Sequence, residues 1–283
     1  PTLKFTLTFF LNILFLIFWG GWLSAEPLRI KKEDSIVILG NTFAERMQLF
    51  GYFEVFLHSR FPDHNLRVRN MGWSADEVHQ RIRPQGFPKL SAELKEHRAD
   101  LLFLCFGFNE SFQGATGLDH YKAELGNFLK KLQGQKFNGE SAPRIVLVSP
   151  IPFEKIDKGL PNSDEGNRRI QLYSTASETV AQEHGVRFLD LFTPMLERAS
   201  NISNRKITIN GVHLSEYGDW AVSQLMARGL GLWRDDLSLP TATPRDEKFR
   251  RAVYEKNHHY FTWWHPPNAS YIHGRRNKTR GAM

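Results

Sequence analysis

The chain has 283 residues, with 37 Lys and Arg against 30 Asp and Glu, 41% hydrophobic residues and 13% aromatic ones. That length and apolar content suit one α/β domain of roughly 200 to 250 residues with additions at its ends, and they exclude a disordered or collagen-like chain. One cysteine, Cys105, excludes an intrachain disulfide, a zinc ribbon and an iron–sulfur centre.

The formal charge of +7 is unevenly placed: residues 245–283 hold nine Lys or Arg and three Asp or Glu, which is six of the seven charges. The body is therefore close to neutral. A solvated basic extension is the expectation, and nucleic-acid binding is not predicted.

In chain order, Lys4 precedes an apolar run over 5–23 that ends in Leu23-Ser24-Ala25. Residues 1–25 thus read as a secretory signal, which puts the body in the periplasm or outside the cell, or as an uncleaved membrane anchor. Both readings stay open. A buried core helix is disfavoured because the segment has almost no polar face.

Residues 33–235 form the body. Short apolar runs at 35–39 (SIVIL), 66–71, 100–106 (DLLFLCF), 144–149 (RIVLVS) and 186–189 predict strands. Between them, apolar positions at three- and four-residue spacing predict helices over 43–59, 119–133, 166–184 and 215–229. Such alternation predicts a flavodoxin-like three-layer α/β/α sandwich with a parallel central sheet.

Residues 236–283 follow as a Pro-containing linker, Leu239-Pro240-Thr241-Ala242-Thr243-Pro244, and a basic aromatic tail. Its histidines, His258, His259, His265 and His273, match no metal-site spacing. Aromatic packing back onto the body is favoured over a metal centre. A docking role for a partner domain is a further reading of the tail.

Ligands in open parallel sheets bind beyond the carboxyl ends of the strands. Four polar loops fall there: Gly40-Asn41-Thr42 with Glu45, Asn70-Met71-Gly72-Trp73-Ser74, Gly107-Phe108-Asn109-Glu110, and Asn210-Gly211-Val212-His213. None is a dinucleotide fingerprint or a P-loop, so no nucleotide cofactor is expected.

Over about residues 35 to 230 these four blocks resemble those of the SGNH, or GDSL-type, esterases and acylhydrolases. The resemblance implies ester hydrolysis, of acyl groups on a small molecule or a carbohydrate, with no metal or organic cofactor. It puts Thr42 at the nucleophile position and His213 at the general base. Asn210 then orients His213, and the Thr42 and Gly72 amides with the Asn109 side chain form the oxyanion hole. A hydroxyl attacks an ester slowly unless a base takes its proton, and each oxyanion donor contributes about 3 to 4 kcal/mol.

Three departures touch that centre. The Thr42 methyl restricts χ1 where the family carries Ser, Asn41 replaces an Asp, and Asn210 cannot offer charge to an imidazolium, a change that lowers turnover by about 10⁴-fold in a serine protease. A catalytically impaired module that binds an acylated or glycan ligand is therefore the alternative. Other readings of single residues are a capping box for Thr42 and Glu45, a turn for Gly72, a cap or turn for Asn109, and a helix cap for Ser74, a replacement nucleophile only in principle.

Overall fold

The computed structural model describes residues 27–156, 163–200, 206–232 and 244–274. The 1–25 segment, the 239–244 linker apart from Pro244, and residues 157–162 lie outside them. No helix among the described residues is long and apolar enough to cross a membrane.

Five strands, β1 (Ser35–Gly40), β2 (Arg67–Asn70), β3 (Leu101–Cys105), β4 (Arg144–Val148) and β5 (Arg187–Leu189), pair in parallel in the order β2-β1-β3-β4-β5. This is the expected flavodoxin-like order. Alternate residues of each strand enter different cores. Ile36, Ile38, Phe103 and Val146 pack with Phe53, Leu57, Val222 and Met226, whereas Val37, Leu102, Leu104 and Leu147 pack with Leu125, Leu129, Tyr173 and Val180. The period-2 geometry of a strand, applied to runs that are apolar at every position, requires helices on both faces.

Those helices are α1 (Thr42–Met47), α2 (Tyr52–Arg60) and α7 (Glu216–Gly229) on one face, with α4 (Leu118–Gln133) and α5 (Ser163–Glu183) on the other. The single helix expected over 43–59 is two, because Gly51 adopts a left-handed conformation (φ +71°) that starts α2 afresh. Two further helices, α3 (Leu90–Glu96) and α6 (Phe192–Ser200), lie outside the spans that the apolar spacing predicts.

The tail carries α8 (Pro244–Trp264) and α9 (Ala269–Ile272). Val253, Asn257 and Trp264 of α8 are buried against the body, and Trp264 joins the second core. Lys256 donates to the Val68 carbonyl at 3.0 Å on the exposed edge of β2 and to Glu54 of α2 at 2.5 Å, while Asn257 donates to the same carboxylate at 3.1 Å. A helix thus covers an edge strand that would otherwise invite pairing with another chain. The four tail histidines do not converge: His265 lies over Trp73 with ring centroids 3.7 Å apart, and His273 meets Phe87 edge-on.

Burial pushes the Glu54 carboxyl up, but His58 and Lys256 outweigh it and hold its pKa below the ordinary range. A depressed carboxylate stabilises above its unfolded pKa and loses that contribution as pH falls through its folded one. Replacing Lys256 with Ala is expected to destabilise the fold by about 3 kcal/mol at neutral pH, toward the low end for breaking a buried pair because Lys256 is itself 35% exposed. Thermal melting read at neutral and at acid pH checks this, the deficit shrinking as Glu54 is protonated.

Candidate active site

The site begins where the chain leaves β1. Gly40, at φ +149°, lies so close to the Cys105 carbonyl of β3 that any side chain would strike backbone. The Asn41 amide donates to that carbonyl at 3.2 Å, and Asn41 Oδ1 accepts from the Phe43 amide at 3.1 Å, which caps α1. Thr42 is consequently the first residue of the helix and not its cap, and the capping-box reading of Thr42 and Glu45 is corrected. The turn at Gly40 puts Asn41, one residue earlier, in the extended conformation that a cap needs.

Glu45 reaches across to the second loop, where it accepts from the Ser74 amide at 2.5 Å and the Ser74 hydroxyl at 3.0 Å. Ser74 is therefore a tie between two loops. It is no helix cap, since no helix follows it until Leu90. At the head of α1 the Thr42 amide has no intrahelical acceptor, and no hydrogen bond engages it among the described residues.

Thr42 lines a cavity at the carboxyl end of the sheet together with His213, Arg46, Ser149, Cys105 and Asp219, walled by Phe43, Met47, Phe106, Phe108 and Ile151. Two other nucleophile-type side chains in it are already occupied or inert. Ser149 Oγ accepts from the Leu191 and Phe192 amides at 2.8 and 3.0 Å, which fixes it to the next loop. Complete burial pushes the Cys105 thiol far above its ordinary pKa, so it is no thiolate at neutral pH. Thr42 is the one hydroxyl lining the cavity with no side-chain hydrogen bond among the described residues.

The expected oxyanion donors Gly72 and Asn109 do not line this cavity. The Gly72 amide donates to Asn70 Oδ1 at 2.9 Å, and Asn70 Nδ2 donates to the Ala44 carbonyl at 2.6 Å. Asn109 Nδ2 donates to the Asp76 carbonyl at 3.1 Å, which leaves one of its two N–H groups. Asp76 is held in turn by Arg83 through two bonds of 2.7 Å. Glu110, beside Asn109, receives the Val78 and Gly107 amides at 2.9 Å each, so its role is to join the second and third loops.

His213 sits on a loop clamped at its base. Glu154 accepts from the Ile207 and Thr208 amides at 3.0 and 2.7 Å, and Ser215 caps α7 by accepting from Gly218 at 3.1 Å. Within the loop, Asn210 Oδ1 accepts from the Val212 and His213 amides at 3.3 and 2.9 Å. Those two donors fix the direction of the amide, and its nitrogen faces His213 Nδ1 at 3.1 Å. A side-chain NH₂ can only donate, so Nδ1 is the acceptor and the imidazole proton resides on Nε2. An Asp at this position would instead hold the proton on Nδ1 and leave Nε2 free as a base. Burial, aided by the Arg46 charge, keeps the imidazole pKa below its ordinary value, so His213 is neutral at pH 7. No hydrogen bond joins Thr42 to His213 among the described residues.

Asp219 on α7 is fully buried at the edge of the cavity, and its Oδ2 has no partner. Burial pushes its carboxyl up to about 8, although the Tyr52 amide opposes this. A carboxyl whose folded pKa is raised gives stability that is complete below its unfolded pKa and lost as pH rises through the folded one. The melting temperature is expected to fall between pH 5 and 8, by about 1.4 kcal/mol of stability per unit, and Asp219→Asn is expected to flatten that dependence. Calorimetric melts of both proteins across this range check it.

Arg46 and Asp219 were not singled out by the sequence blocks; the available signal was the spacing of Arg46, four residues after Thr42 on one helix face. Among the described residues no group of three or more His, Cys, Asp or Glu is arranged to hold a metal.

The sequence profile of the GDSL-like lipase/acylhydrolase family matches residues 34–221. The sequence matches no curated protein. Among solved structures, the chain superposes on Axe2, an acetylxylan esterase from Geobacillus stearothermophilus, with a TM-score of 0.56 at 16% identity over 74% of this chain and 100% of that one. It resembles LAE5, an alpha/beta hydrolase enzyme from the metagenome of Lake Arreo, Spain, with a TM-score of 0.55 at 14% identity, covering 73% of this chain and 99% of that one. It also resembles BT4096, a gut microbial diltiazem-metabolizing enzyme, at a TM-score of 0.59 and 18% identity, over 74% of this chain. This chain spans 49% of the length of BT4096. At identities this low the likeness is one of fold alone.

Proposed function

We propose that this chain, which belongs to the GDSL-like lipase/acylhydrolase family, is an ester hydrolase that removes a short acyl group, with Thr42 as nucleophile. One observation carries the assignment: in the cavity beyond the sheet, Thr42 has an unengaged hydroxyl and an unengaged amide at the head of α1, while Ser149 and Cys105 are tied or inert. The amide provides one oxyanion donor at the attacked carbonyl, favoured by the positive end of the helix. The acetylxylan esterase activity named for Axe2 supports an acyl group on carbohydrate as the substrate class.

In this reading the Thr42 hydroxyl attacks the ester carbonyl and passes its proton to His213 Nε2. That requires the proton of the neutral imidazole to move to Nδ1 and Asn210 to turn its oxygen toward it, giving up the bonds from the Val212 and His213 amides. Two hydrogen bonds at about 0.5 to 1.5 kcal/mol each amount to a rate penalty of about 5- to 150-fold. Asn210 also lacks the charge that would stabilise the imidazolium. Protonated His213 then returns its proton to the departing alcohol, and water releases the acyl group from Thr42 by the reverse sequence.

The same Asn210–His213 bond favours a second reading, a family member that retains the crevice to hold an acylated or glycan ligand without cleaving it. Hydrolysis of 4-nitrophenyl acetate separates the two. The hydrolase reading expects slow turnover that disappears in both Thr42→Ala and His213→Ala; turnover indifferent to both, or none at all, favours the binding module.

A further inference from the structure

Several of the protein's partly buried guanidinium groups are paired with carboxylates, and others, Arg46 and Arg81 among them, are not. Arg83 pairs with Asp76 at 2.7 Å, Arg144 with Asp34 at 2.6 Å and Arg250 with Glu247 at 2.8 Å. Arg46, which lines the cavity beside Thr42, has no carboxylate within ion-pair reach among the described residues, and its Nε is buried without a partner. An unpaired charged donor in an apolar crevice is unfavourable by more than a neutral one, and it stays unfavourable until an acceptor enters.

A second polar group lies in the same cavity without a partner. Asp219 is 2% exposed, lines the cavity, and leaves Oδ2 unbonded. Burial raises its carboxyl pKa while the nearby Arg46 charge lowers it, and in its protonated form it offers an O–H to an incoming group.

From these two unpartnered groups we infer that the cavity is built to take a carboxylate, received by Arg46 and Asp219 one helical turn from the Thr42 hydroxyl. The position follows from the helix: Thr42 and Arg46 are four residues apart on α1, so they share one face with their Cβ atoms about 5 to 6 Å apart. That neighbourhood fits a short ester that carries a carboxylate close to its carbonyl. The carboxylate belongs either to the acyl group, as in a dicarboxylic half-ester, or to the alcohol, as in an acylated hydroxy acid. This inference rests on Thr42 as the reacting group only for the location of the ester, not for the binding of the anion.

The test uses the full chain and Arg46→Gln, with Arg46→Lys as a variant that keeps the charge, each verified to be folded by its thermal melt. Mono-4-nitrophenyl succinate carries the carboxylate on the acyl side and acetoxyacetate carries it on the alcohol side; 4-nitrophenyl butyrate and ethyl acetate are their neutral counterparts. At least one charged ester is expected to exceed its counterpart in kcat/KM, and Arg46→Gln is expected to collapse that ratio by about 10- to 100-fold, with Arg46→Lys between. Whichever pair responds identifies the side that bears the carboxylate. An unchanged ratio in both pairs overturns the inference. If no ester is turned over, calorimetric titration with succinate decides: binding lost in Arg46→Gln sustains the carboxylate site while the hydrolase reading fails, and absence of binding to the unsubstituted chain overturns the site as well.

Discussion

Replacing Asn210 with Asp is expected to raise the turnover of a short nitrophenyl ester by about 10³-fold, within the factor of about 10⁴ that separates Asp from Asn at the corresponding position of a serine protease. The gain has two sources. A carboxylate can keep one oxygen on the Val212 and His213 amides, as Asn210 Oδ1 does now, while the other accepts from Nδ1. The imidazole proton then moves to Nδ1, Nε2 becomes a base toward Thr42, and the imidazolium formed during attack has a counter-charge. Steady-state kinetics of the Asn210→Asp protein measure this directly. A rate unchanged within a factor of two would mean that the tautomer of His213 does not limit the reaction.

The second large effect isolates the nucleophile. In the Asn210→Asp background, Thr42→Ala is expected to remove the whole gain and return the rate to that of buffer, because the restored base would have no hydroxyl to act on. Thr42→Ser in the same background is expected to match or exceed Thr42, since a primary hydroxyl turns freely about χ1 where the threonine methyl does not. The pair of substitutions is informative because residues that act as one unit are not additive. If Thr42→Ala retained the gain, another group in the crevice would have to supply the nucleophile, and neither Ser149 nor Cys105 is placed to do so.

Much of the fold could be read from the residues, for a physical reason. Parallel strands buried on both faces must be apolar at every position, and the runs SIVIL, DLLFLCF and RIVLVS have no other ready explanation. Each observed strand lies within a residue or so of its expected span. What was hidden depended on single residues or on distant partners. Gly51 splits the helix expected over 43–59 through a left-handed backbone angle that apolar spacing does not report. The α8 helix sits in a charged, aromatic tail behind two prolines, and it is held by Trp264 and by the Glu54–Lys256 contact, formed by residues some 200 positions apart in sequence.

The site was legible to a different degree. Four short blocks in the right order located Thr42, His213 and Asn210, and the structure brings Thr42 and His213 to one cavity with Asn210 on the imidazole. The direction of the Asn210 amide was not legible, because it is set by backbone amides of its own loop. Nor was the engagement of Gly72 by Asn70, which occupies a donor that sequence position alone would leave available. That Asn41 and not Thr42 caps α1 was not legible either, since it goes with the close approach of Gly40 to β3.

The central claim, that Thr42 is the reacting hydroxyl of an ester hydrolase, is tested most directly by labelling the full chain with a fluorophosphonate and sequencing the modified peptide by mass spectrometry. The account predicts one phosphonyl adduct, on Thr42, forming slowly in the unsubstituted protein and faster in Asn210→Asp. Ester turnover with Thr42 unmodified, or an adduct at any other residue, would contradict it.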